Sequence, residues 1–401
     1  MTVLRLIYRS LRQHALSTFV TAASIALAGG LLITVWMVKV QTQRAFVETT
    51  TAFDAVLGAR GSKLQLVLNA IFHLEASPGN LAVADYDAVR KHPAVKTAIP
   101  IAVGDNFYGW RIVGTVPELF TGVEYARGKS YTVQSGGRLF DPVKREAVVG
   151  SMVAAQRNLK VGDTFKPFHG LAFDVRAEHA DLYTVVGILA PTATPADRVV
   201  WIPLVGVQTM SGHDARAATD VSAVLIQLRA ASAGMMMDMM YNRQGNRLTL
   251  AYPVGAIVAD LFNKIGWIDQ VLALVAYLVA LVAGGSVLAS IHASMDARRR
   301  DIAILRALGA RRRTVFGAIV AEAASIGALG AMVSLVIYAV LFAGVAGIIR
   351  TQTGVVLDVF QWHPVLVLAP AGLVALGALG GVLPAWKAYR TPVAENLAPA
   401  S

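Results

Sequence analysis

The 401-residue chain is 55% hydrophobic and only 15% charged, with a formal net charge of +11 and a mean hydropathy of +0.56. Soluble domains carry about 25% charged residues, so this composition argues against a wholly soluble protein and for membrane spans. No cysteine is present, which excludes disulfides, a thiol nucleophile and a thiolate-held metal.

The first segment, 1–15, holds Arg5, Arg9 and Arg12 and no acid. The arginines fall on one helical face and Leu4, Ile7 and Leu11 on another, the pattern of a helix lying in a membrane interface. The run 16–38 is free of charge and would rise about 35 Å as a helix, enough to cross a bilayer. Ala26-Leu27-Ala28 looks like a signal-peptidase site, but the apolar run continues through Leu31, Ile33, Trp36 and Val38. A cleaved signal loses that character soon after its cleavage site, so this segment reads as a retained first span.

Segment 39–267 holds 23 bases against 19 acids, so the basic excess lies elsewhere and nucleic acid is not an expected partner. Lys39–Phe53 has no Gly or Pro, and the first span is expected to continue through it as a stalk. Helical spacing of Leu64, Val67, Leu68 and Ile71 marks a helix within 58–74. Short apolar, β-rich runs follow at 110–116, 147–149, 183–189, 199–202 and 223–228, with short helices at 85–91, 151–158 and 204–210 between them. A second stalk is expected at 256–264. The domain therefore reads as α+β.

Candidate chemistry in this domain is sparse. Gly122 to Ser130, GVEYARGKS, approaches a phosphate-binding loop, but its two glycines are one residue too far apart. His169, Asp174, Glu178, His179 and Asp181 offer metal-ligand atoms, yet a His–His spacing of ten across a loop matches no ligand pattern, and they read as solvated. Met235, Met236, Met237, Met239 and Met240 read as a helix packed on the core. No metal, cofactor or catalytic constellation is expected, and the chain is not read as an enzyme.

Three more spans are expected at 271–291, 314–349 and 365–383, the last ended by Pro384. Between the second and third lies the basic loop 292–313, in which Arg298, Arg299, Arg300, Arg306, Arg311, Arg312 and Arg313 face only Asp296 and Asp301. Arginine excess marks the cytoplasmic side. It places this loop, the amino terminus and the tail 384–401, with Lys387 and Arg390, inside. The loop 350–364 and segment 39–267 then lie outside. Ile302, Leu305, Leu308 and Gly309 recur at helical spacing, so the inner loop reads as a short amphipathic helix suited to docking a partner. Glu322 is a carboxylate within the third span, where charge is costly and normally paired or functional. Gly377 with Gly381, Ala26 with Gly30 and Ala280 with Gly284 mark close helix contacts.

The stretch RRRDIAILRALGARRRTVF resembles the loop after the second span of FtsX/MacB-type ABC transporter permeases, with Asp301 where that family more often has Glu. GGRLFD (136–141), AVVGSMVA (147–154), LKVGDTF (159–165), YTVVGIL (183–189) and VVWIPL (199–204) resemble, in order, the family's periplasmic core domain. PAWKAYRTPVAENL (384–397) resembles its tail. The resemblance implies four transmembrane helices with a large α+β extracytoplasmic domain between the first and second, in a bacterial inner membrane. It implies a non-catalytic permease subunit, paired with a second copy and with a dimer of separate ABC ATPase subunits, that couples hydrolysis to movement of the outer domain for export or extraction. It assigns ATPase coupling to Arg298, Arg299, Arg300, Asp301, Ile302, Leu305, Arg306, Leu308, Gly309 and Arg311, and pairing of Glu322 with a loop arginine. Membrane lipids and a periplasmic adaptor or binding protein are further expected partners. The alternative is an FtsX-like signalling subunit that switches an external partner without transport.

Overall fold

The computed structural model describes residues 3–13, 15–213, 218–267, 306–307 and 309–390, together with 270–289 except 276, 280, 283 and 287. It forms two compact units. One gathers residues 1–41, 266–347 and 358–401, and the other 42–265 and 348–357.

The second unit is built on a ten-stranded mixed sheet. In chain order its strands are β1 (Ala55–Ala59), β2 (Val95–Phe107), β3 (Trp110–Thr115), β4 (Glu146–Val149), β5 (Thr164–Phe165), β6 (Phe168–His169), β7 (Tyr183–Ile188), β8 (Val199–Pro203), β9 (Ala223–Leu228) and β10 (Leu248–Ala251). The spatial order is β10-β1-β9-β2-β3-β8-β4-β7-β5, with β6 paired to β2. The β7–β4 and β8–β3 pairs are parallel. The β-rich runs expected from sequence thus form strands: 223–228 coincides with β9, and the other four extend or shorten by one residue. The long strand β2 and the outer strands β1 and β10 carry no comparable signal.

The continuous apolar runs follow from burial on both faces of the sheet. Side chains alternate between faces, and the core divides accordingly. Val56, Val148, Val199, Trp201 and Leu225 face one cluster, which the helices Lys63–Ala70 and Val254–Lys264 close with Leu66, Val67, Val254 and Val258. Their chain neighbours Ala147, Val149, Val200 and Ile202 face another, closed by Val153 and Val207. Ala55, Leu57, Val224 and Ile226 face a third. Every residue of β4 and of β8 is buried.

One irregularity positions the site below. Opposite β3, the register of β2 slips between Val103 and Asp105. The extra residue is Gly104, a β-bulge of the kind that re-aims the following side chain. Asp105 consequently turns inward and is 0% exposed.

The first unit holds helices that are long and apolar enough to cross a membrane. Three meet that description among the described residues: Ala15–Ala52, Arg312–Thr353 and Val365–Lys387. Gln270–Ser286 is a shorter apolar helix. An amino-terminal helix, Val3–Gln13, precedes them. The last helix runs through Pro384 to Arg390 rather than stopping at the proline.

Glycines set the close approaches in this bundle. A Cβ on Gly30 would lie 2.5 Å from Ile337, on Gly330 2.7 Å from Ile25, and on Gly381 2.6 Å from Ala323. At Gly377 it would meet the Ala323 carbonyl oxygen at 2.9 Å. Small residues let helix backbones approach in this way, so that packing holds the bundle where lipid offers no hydrophobic drive. Gly377 and Gly381 therefore seat the last helix on Arg312–Thr353. Gly30 likewise lets the first apolar helix approach Ile337 and the Ser334 carbonyl of Arg312–Thr353.

Candidate functional site

Of the residues assigned to ATPase coupling, Arg298, Arg299, Arg300, Asp301, Ile302, Leu305 and Leu308 lie outside the described residues. Arg306 is helical, and Gly309, with φ +99°, donates its amide to the Arg306 carbonyl at 3.1 Å. That left-handed backbone is the conformation glycine tolerates best. The Arg311 carbonyl accepts from Thr314 and Val315 at 2.9 and 3.3 Å, which starts the long helix at Arg312. At this end the Arg312 guanidinium lies 5.8 Å from the Tyr389 ring, and Arg390 4.9 Å from Trp386. Basic and aromatic side chains of this kind mark membrane interfaces. Ser10 of the amino-terminal helix donates a short hydrogen bond to Glu322 Oε1.

Two expectations in the outer domain resolve simply. GVEYARGKS is a hairpin, Glu124–Ala126 paired with Lys129–Ser130, and its turn is closed by Glu124 Oε2 accepting from the Gly128 amide at 3.0 Å. It offers no cradle for phosphate. The methionines do lie on helical turns from Ala231 to Gln244, but Met237 is the one buried among the five. Met235, Met236, Met239 and Met240 are exposed.

The reading of 169–181 as solvated residues needs correction. His179 and Asp181 are buried, and His169 and His179 converge with Asp105 and His213, two residues the sequence did not bring into view. One ligand atom from each of the four lies within 4.8 Å of the others. Asp174 and Glu178 take no part.

Each member is placed by a separate device. In the β2–β6 register Asp105 stands opposite His169. Asn106 fixes that edge, donating to the Phe168, Gly170 and Ala172 carbonyls at 3.3, 2.9 and 3.1 Å. The His179 amide donates to the Pro167 carbonyl at 2.9 Å. Asp181 accepts from the Ser211 amide at 2.7 Å and pairs with Arg145, which fixes the turn carrying His213. The three imidazole rings then surround Asp105 edge to face, with centroids 5.1–5.4 Å apart.

All three rings aim at one oxygen. His179 Nε2 and His213 Nε2 each lie 3.1 Å from Asp105 Oδ1, and His169 Nδ1 lies 3.4 Å from it. On their far sides, His179 Nδ1 is 2.6 Å from the Ser211 carbonyl and His213 Nδ1 3.0 Å from the Val207 carbonyl. A carbonyl can only accept, so each Nδ1 carries a proton and each Nε2 is the inward nitrogen. The hydrogen bond to Asp105 raises the His213 pKa above its ordinary value, against the burial that would lower it.

The model of the FtsX-like permease C-terminal family matches residues 273–393, and that of the MacB-like periplasmic core domain matches residues 18–237. The chain is 24% identical over 396 residues to a macrolide export ATP-binding/permease protein MacB of Brucella abortus, covering 95% of this chain and 58% of the relative. A Brucella melitensis protein of the same description is 24% identical over 397 residues, with the same coverage. The chain thus spans 58% of the length of these curated relatives. Among solved structures, the periplasmic region of MacB from Actinobacillus actinomycetemcomitans aligns with a TM-score of 0.35 and 10% identity, over 57% of this chain and 97% of that one. The extracellular domain of the noncanonic ABC-type transporter YknZ aligns with a TM-score of 0.31 and 16% identity, over 49% and 97%.

Proposed function

This chain belongs to the family of membrane permeases that join a MacB-like periplasmic core domain to an FtsX-like C-terminal domain, and from that premise we propose that it couples an ATPase on a separate chain to movement of its outer domain. The observation that carries the reading is the order of parts. The core-domain match ends before the FtsX match begins, and the arginine-rich loop 292–313 falls inside the latter. ATP binding would close two ATPase subunits against two copies of this loop. The amphipathic helix expected around Leu305 would pass that motion to the neighbouring spans and stalk. The apolar composition of the spans gives little to line a hydrophilic path, so the work is mechanical, and the cargo is exported or extracted at the outer domain or outer leaflet.

The test is uncoupling. The chain is co-expressed with its candidate ATPase and reconstituted in lipid. Leu305→Asp places a charge where an apolar anchor should fill a groove, and truncation at such anchors often costs about 2 kcal/mol or more. Gly309→Val forces a β-branched side chain into φ +99°. Both variants should insert normally yet lose ATPase co-purification and permease-stimulated hydrolysis. Full binding and full stimulation by Leu305→Asp would exclude this docking assignment.

A further inference from the structure

We propose that Asp105, His169, His179 and His213 form a binding site for a borderline divalent transition-metal ion, zinc above all, in the outer domain. The proposal does not depend on the coupling reading.

The donor set suits zinc. Three imidazole nitrogens and one carboxylate oxygen supply four ligands of the type Zn²⁺ takes, and a full set of four protein ligands is the mark of a structural rather than a catalytic ion. Hard cations such as Mg²⁺ and Ca²⁺ prefer oxygen-only shells. A tetrahedral ion with bonds of about 2.0–2.1 Å needs donors roughly 3.4 Å apart. The four atoms already lie within 4.8 Å of one another, so rotation about side-chain bonds suffices.

The surroundings are arranged as a metal's are. His179 and His213 each direct the outer ring N–H to a backbone carbonyl, which fixes tautomer and ring orientation and leaves the inner nitrogen free to ligate. Asn106 holds the segment that bears His169, and Asp181 holds the turn that bears His213. Asp105 Oδ2 is buried with no hydrogen-bond partner, an acceptor that a cation would satisfy. In their neutral form both rings would turn a lone pair onto the same carboxylate oxygen at 3.1 Å, and a cation between them takes the place of the ring proton that otherwise bridges the two.

The site is also reachable. Asp105, His179 and His213 are 0%, 5% and 8% exposed at the side chain, but His169 is 59% exposed. A cleft lined by Asn80, Gly104, His169, Gly212, His213 and Asp220 opens beside it. An ion entering there would meet His169 first. Once bound, it would clasp β6, the segment after it and the 209–213 turn to the bulge of β2.

The experiment uses the full chain, purified in detergent on a tag without histidine. It is stripped with a chelator, mixed with ZnCl₂, passed over a sizing column and assayed by plasma mass spectrometry. The expected result is about one zinc per chain, retained through the column, with a raised melting temperature. Co²⁺ loading should give the visible d–d bands of a low-coordinate N/O site, and Mg²⁺ or Ca²⁺ should not compete. His169→Ala removes an exposed side chain and should fold, yet weaken zinc binding by about tenfold or more. His213→Ala should abolish it. Less than one-tenth equivalent of zinc on the folded parent chain, or zinc held equally well by both variants, would overturn the proposal.

Discussion

Gln41 and Asp358 hold each other through a closed pair of hydrogen bonds. Gln41 Nε2 donates to the Asp358 carbonyl at 2.8 Å, and the Asp358 amide donates to Gln41 Oε1 at 2.9 Å. The glutamine is 5% exposed, at the far end of the first apolar helix from the arginines. Its amide takes the place of a strand neighbour for a loop that has no ladder of its own. Gln41→Leu keeps the volume and removes both bonds. Each is worth about 1 kcal/mol, and water can reach the exposed Asp358, so the melting temperature in detergent should fall modestly. The sharper readout is proteolysis: segment 354–364 should be cut several-fold faster, and equal cutting rates would show that the pair does not hold the loop.

Glycine positions in the third apolar helix should differ by their neighbours. A Cβ at Gly330 meets Ile25 at 2.7 Å and the Ala22 carbonyl oxygen at 3.0 Å, whereas at Gly344 nothing lies within 4 Å. Gly330→Ala should destabilise the bundle by about 1–3 kcal/mol, the usual cost of overpacking. Gly344→Ala should be neutral or slightly stabilising, since alanine favours the helix. Thermal unfolding of the two proteins side by side checks this, and equal melting temperatures would contradict the packing described above.

These cases show what the sequence could reveal. Three long apolar helices, the continuation of the first to Thr49 and the buried strands β3, β4, β7, β8 and β9 were legible because each is a long or dense apolar run that leaves a one-dimensional trace. The strand β2 was not. Lys96, Pro100, Gly104 and Asp105 interrupt its pattern, and its pairings with β9 and β3 come from distant or bulged partners. The four-residue cluster was illegible for the same reason. His169 and His179 were visible as ligand types, but Asp105 joins them only through a bulge and a strand register, and His213 only through a turn pinned by Asp181. Contacts of that kind are set by tertiary packing, and spacing along the chain carries no mark of them. The exposed faces of Met235, Met236, Met239 and Met240 likewise could not be told from core by composition.

The Arg138–Glu146 pair should make the outer domain acid-sensitive in a defined window. Glu146 accepts from both Arg138 terminal nitrogens at 2.6 Å and from the Asp141 amide at 2.9 Å. The Arg138 hydrogen bonds come first among the causes that hold its pKa at about 2, below the ordinary 4.5. A depressed carboxylate contributes stability that is complete above the unfolded value and is lost as pH falls through the folded one. The window is therefore about pH 4.5 down to about 2. Arg138 is 57% exposed at the side chain, so solvent screening keeps the contribution small. Glu146→Gln should lower stability at pH 7, with the gap closing as pH approaches 2. A gap that stays constant with pH would assign the loss to packing instead of charge.

The number of spans can be read from which cysteines a membrane-impermeant reagent reaches. The chain has no cysteine of its own, so single substitutions report cleanly. Three exposed sites divide the alternatives: Val143 in the outer domain, Ala307 beside the arginines and Phe360 after the third apolar helix. The weak link is Gln270–Ser286, which rises only about 25 Å against a hydrocarbon core of about 30 Å. The apolar run continues to Ile291 in the sequence, which extends the rise to about 33 Å if the helix persists. Seven arginines then follow by residue 313, and arginine excess favours the cytoplasmic side. With four spans, Val143→Cys and Phe360→Cys should label in intact cells, and Ala307→Cys should label only after permeabilisation. If Gln270–Ser286 lay in the interface without crossing, Val143→Cys and Ala307→Cys would share a side. That outcome would separate the arginine loop from the cytoplasmic ATPase and remove the basis for coupling through Leu305.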